Sequence, residues 1–89
     1  MDKKNILGSL AMDLKRAALG FYRGSDIMAS RFLDEAIKRK NEYKSDDLKP
    51  YIKKILTNLE VLKKETKNKS AETALMYSTL IQNYIRSNP

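Results

Sequence analysis

Apolar residues recur at helical spacing in four stretches of this chain, divided by breaks near residues 23–25, 44–49 and 67–70. Advancing about 100° per residue gathers each stretch into one face. No segment alternates apolar and polar residues over a strand's length, so the pattern predicts an all-α fold. The expected helices cover about 3–22, 26–43, 48–67 and 71–87. Short connections make neighbours antiparallel, which gives an up-down-up-down four-helix bundle as a single domain. With 89 residues there is no room for a second core.

In the first helix, Ile6, Leu7, Leu10, Ala11, Leu14, Ala17, Ala18 and Phe21 share an arc of about 140°. Asp13, Lys15, Arg16 and Arg23 fall outside it. Phe21 stays in phase, which carries the helix across Gly20 to about Tyr22, with Gly24 as a left-handed terminator. A stop at Gly20 is the alternative. Ser25 or Asp26 caps the second helix, whose arc holds Met28, Ala29, Phe32, Leu33, Ala36, Ile37 and Tyr43. Arg39 and Lys40 intrude on that arc, with their stems expected along the core and their charges in water.

Pro50 suits the first turn of the third helix, with Ser45 or Asp47 as cap. That helix is expected to bury Tyr51, Ile52, Ile55, Leu56, Leu59 and Leu62. Lys67–Ser70 reads as the last loop, with Ser70 capping the fourth helix.

The fourth helix differs from the others. Between Glu72 and Arg86 it carries no charge, although a third of the whole chain is charged. Its apolar and aromatic positions sweep about 260°, where one core needs a stripe of about 100° or somewhat more. The surplus predicts a second contact, a homodimer through Leu75, Met76, Tyr77, Leu80 and Tyr84. Leu75 and Met76 flank the polar side about 100° apart, so one core cannot easily cover both.

The net charge of +7 is unevenly spread. Antiparallel order puts the first residues, the break near 44–49 and the last residues at one end. Ten basic residues against four acidic ones give that end +6, and eight against seven leave +1 for the other half. Arg39, Lys40, Lys44, Lys49 and Lys53, beside Tyr43 and Tyr51, could hold phosphates and stack on exposed bases. Nucleic acid is therefore the alternative partner. Charge of this size also serves solubility alone.

Histidine and cysteine are both absent, which removes imidazole acid–base chemistry, thiolate nucleophiles and the usual zinc ligands. The carboxylates, Asp13, Asp34, Glu35, Glu60 and Glu65 among them, miss every apolar arc, so none is expected to be buried with a perturbed pKa. No phosphate-cradling glycine loop or nucleophile elbow is present. The expectation is a non-enzymatic interaction or assembly module with no metal and no cofactor. No apolar run approaches the ~20 residues that span a bilayer, and the start does not read as a signal peptide. A cytoplasmic location and no membrane partner are expected.

Overall fold

The computed structural model describes residues 3–43 and 47–87. Its elements are α1 (Lys3–Tyr22), α2 (Asp26–Glu42), α3 (Pro50–Asn58), a 3₁₀ segment (Leu59–Lys64) and α4 (Lys67–Ser87). The described residues contain no strand. α1 lies at the centre and packs along both α2 and α4. Its buried face is Ile6, Leu7, Leu10, Ala11, Leu14, Ala17 and Ala18, the expected arc apart from Phe21, which is half-buried. Leu33, Ile52, Leu59, Leu62 and Ile81 close over it from the other elements, while Ala29, Ala36, Ala71 and Ala74 keep the packing close.

The connection from α1 to α2 follows from two residues. Gly24 takes φ = +73°, the left-handed conformation that a side chain disfavours. Its N–H reaches the Phe21 carbonyl at 3.1 Å and the Ser25 N–H reaches that of Gly20 at 2.8 Å. This paired closure of a helix end is the Schellman motif. The Ser25 side chain then accepts from the Met28 N–H, capping α2. Gly20 lies inside α1, and its role is proximity. A Cβ there would stand 2.7 Å from the Ala29 nitrogen.

The second half departs from expectation in several places. The third helix does not run to residue 67: it changes to 3₁₀ geometry at Leu59 and ends at Lys64. In a 3₁₀ turn residues i and i+3 eclipse, so Leu59 and Leu62 still both face the core. Tyr51, expected inside, is 45% exposed. Lys49 precedes Pro50 as the cap without a side-chain bond. Asp47 instead accepts from the Tyr43 hydroxyl and from Lys3. Ser45, the other candidate cap, lies outside the described residues.

The last break falls at Glu65 and Thr66, so Lys67–Ser70 is the first turn of α4 rather than a loop. Ser70 does not cap the helix. It is fully buried, and its hydroxyl donates to the Leu62 carbonyl at 2.7 Å. That bond satisfies a carbonyl at the end of the 3₁₀ segment, where intrahelical donors run out. Ser78 is buried too, and donates across helices to the Ala11 carbonyl at 2.7 Å.

Candidate functional site

α4 presents the over-wide apolar surface that its sequence implies. Leu75 is 40% exposed and Met76 is 52% exposed, although Ala74 beside them is fully buried. Leu80, Tyr77 and Tyr84 are half-buried and pack on the core. The Tyr84 ring meets Tyr51 edge-on, with centroids 6.2 Å apart. Of the five candidate self-association residues, the chain's own core therefore shelters three in part and leaves Leu75 and Met76 open.

The basic candidates are placed differently from one another. Lys49 and Lys53 are exposed on or beside α3, near the exposed Tyr51, and Lys40 is half-buried. Lys44 lies outside the described residues. Tyr43 is half-buried, and its hydroxyl donates to Asp47 Oδ1 at 3.1 Å. Burial first, and that hydrogen bond second, push the Tyr43 hydroxyl up to about 12. Arg39 donates from Nε to Asp13 Oδ2 at 2.7 Å, a bond that holds its guanidinium charged and its pKa raised.

Asp13 corrects the expectation that carboxylates stay outside. It is only 3% exposed. On the α1 wheel it stands about 20° beyond the apolar arc, on the same flank as Gly20. α2 docks closely on that flank, so the margin of the arc is covered. Arg16 Nη1 lies 3.8 Å from Asp13 Oδ1, and the Arg16 guanidinium sits 5.7 Å from the centre of the Phe32 ring. An open groove of about 480 Å³ runs here, lined by Lys4, Gly8, Ser9, Asp13, Arg16 and Arg39 among others. Sequence reasoning missed this grouping, since Arg16 and Arg39 belong to different halves in the charge partition. The one available signal was the 20° margin, read together with a glycine on the same flank.

Glu65, also expected outside, is half-buried, with Oε2 shut from solvent and without a hydrogen-bond partner. Among the described residues, no group of three or more His, Cys, Asp or Glu side chains could hold a metal ion, and no helix is long and apolar enough to cross a membrane. Comparison with family models, with curated proteins and with solved structures gave no match.

Proposed function

We propose that this chain is a small non-enzymatic interaction module that self-associates through α4. The observation carrying this reading is the exposure of Leu75 and Met76 on opposite flanks of an otherwise uncharged helix face. Fully burying a Leu or Met side chain stabilises by about 1.5–3 kcal/mol. Each is already half covered, so about 1 kcal/mol per residue remains to be gained. Two residues from each of two copies then give about 4 kcal/mol, only the lower bound of the cost of association. The dimer therefore needs Leu80 and its neighbours as well, and is expected to be weak. In this reading the module works in the cytoplasm, by binding and without catalysis.

The finer topology belongs to the same proposal. An up-down-up-down order is supported by two contacts: Gly20 with Ala29, and Tyr51 with Tyr84. In each, a residue late in one element meets one early in the other, as antiparallel neighbours must.

Sedimentation velocity from about 10 µM to 1 mM tests the self-association. The expected result is a concentration-dependent dimer that Leu75→Glu and Met76→Glu convert to folded monomers. A strict monomer at the upper concentration removes the reading.

Lys49, Lys53 and Tyr51, all exposed, favour a second reading in which polyanions dock at α3. Each phosphate-paired cation contributes about 0.7–0.9 to the log–log salt slope. Replacing Lys40, Lys44 and Lys53 with Ser should then flatten that slope for single-stranded RNA by roughly 2–3 units. The same change at Lys63, Lys64 and Lys67 should do much less. Equal effects would mean diffuse attraction without a site.

A further inference from the structure

We propose that the groove between α1 and α2 binds a small phosphate-bearing ligand, a phosphomonoester or a diphosphate, gripped by Arg16 and Arg39. The inference is independent of self-association through α4. It starts from a surplus. One guanidinium suffices to neutralise Asp13, and Arg39 does so through Nε at 2.7 Å. A second guanidinium nevertheless converges on the same carboxylate, with Arg16 Nη1 at 3.8 Å.

Both arginines are held from behind by groups that a ligand would not displace. Asp13 fixes Arg39 through Nε, the one hydrogen bond that this side chain makes among the described residues. Arg16 lies over the Phe32 ring at 5.7 Å, a cation–π contact that orients the guanidinium without using its donors. Donors positioned in advance lose less freedom when they bind, which is how an arginine fork gains affinity for phosphate.

The space exists as well. A Cβ at Gly8 would meet no atom within 4 Å, and the groove's volume of about 480 Å³ falls in the range of small-molecule sites. Charge selects among anions. Lys4, Arg16 and Arg39 line the groove with Asp13, and Glu35 and Glu42 of α2 also act on Arg39. A phosphomonoester carries about −1.5 to −2 at neutral pH and offers three acceptor oxygens to two guanidinium forks, where a carboxylate offers two oxygens and a single charge.

The competing explanation is that these charges only fasten α2 to α1. Gly8→Leu separates the two, because it fills the groove while leaving Asp13, Arg16 and Arg39 in place. The readout is the arginine Nε–Hε resonances and the Gly8 and Ser9 amides, followed by NMR at low salt. The probes are inorganic phosphate and pyrophosphate, with chloride at matched ionic strength as control. Saturable shifts at Arg16 and Arg39 are expected, tighter for pyrophosphate. In Gly8→Leu and Arg16→Gln the affinity should fall at least tenfold, with the spectrum otherwise that of the folded chain. No saturation by about 10 mM phosphate overturns the proposal. So do shifts spread evenly over Lys53 and Lys54, or a Gly8→Leu variant that binds as the parent does. A short oligothymidylate, with one charge per phosphodiester, should move these resonances no more than chloride; a response to it alone overturns the assignment to a small ligand.

Discussion

Replacing Gly20 with alanine probes how close α1 and α2 stand. An ideal Cβ at Gly20 would lie 2.7 Å from the Ala29 nitrogen, 2.9 Å from its Cα and 3.1 Å from its Cβ. Two of these atoms are backbone, so no rotamer change relieves the clash and the helices must move apart. Overpacking of this kind costs about 1–3 kcal/mol. Alanine is the better helix former by about 1 kcal/mol, which offsets part of that cost. Separation also pulls on the Asp13–Arg39 bond, which lies on the same flank of α1. The net expectation is a loss of about 1–2 kcal/mol, or a midpoint lower by about 4–8 °C for each kcal/mol in a domain of this size. Gly8→Ala is the matched control. Its Cβ meets nothing, so only the helix preference acts and the variant should gain about 0.5–1 kcal/mol. Urea unfolding followed by far-UV circular dichroism reads both, with unchanged m-values expected. A Gly20→Ala protein as stable as the parent would refute the close approach at Ala29.

The buried charge gives an asymmetric pair of expectations. Arg39→Met strands Asp13, whose side chain is 5% exposed, with only the looser Arg16 beside it; the loss should approach the ~3–5 kcal/mol of a broken buried pair. Asp13→Asn should cost less, because the Arg39 side chain is 29% exposed and can turn to water; thermal unfolding of the two variants checks the order. Tyr43 supplies a pH dependence. Its hydroxyl is raised from 10.0 to about 12, so the folded chain favours the neutral phenol. Its contribution to stability is then full below pH 10 and is lost as pH rises through about 12. Absorbance at 295 nm should show a late-titrating phenol that Tyr43→Phe removes, and an unchanged alkaline limb in that variant would contradict the assignment.

The α1–α2 half was legible because each of its signals is local. The phase of Phe21, the freedom of Gly24 and the hydroxyl of Ser25 act within a few residues of themselves. The second half was less legible for a geometric reason. Steps of about 100° and about 120° per residue differ by only ~60° between Leu59 and Leu62, so a wheel places both inside under either helix type. The start of α4 was hidden by composition. Lys67–Lys69 resembles a solvated loop, and what holds the turn is Ser70, whose partner at Leu62 lies eight residues back. On α4 the flanking positions of Leu75 and Met76 could be read directly, since exposure on a wide arc is a property of one helix. The joining of Arg16 to Arg39 could not. It depends on how two helices are turned toward each other and on side chains long enough to cross between them.

A single flank of α1 connects the packing to the groove. Gly20, Ala17 and Asp13 recur there at helical spacing, and what fills the space beside them changes from one to the next. At Gly20 the backbone of Ala29 comes within reach of a missing Cβ. At Asp13, seven residues earlier in the sequence, the neighbour is the side chain of Arg39. On the far side of the recess, about 140° around α1 from Asp13, a new Cβ at Gly8 would touch nothing. The α1–α2 pair is thus fastened by backbone proximity at its turn and by a buried charge along its length, and the charge lies beside an open recess. An apolar residue at position 13 could have packed the same flank, and such replacements of buried ion pairs often stabilise. Relative to such an apolar contact, the ion pair adds little net stability, although breaking it is costly. Its consequence is to hold Arg39 at the wall of the groove, with Arg16 beside it.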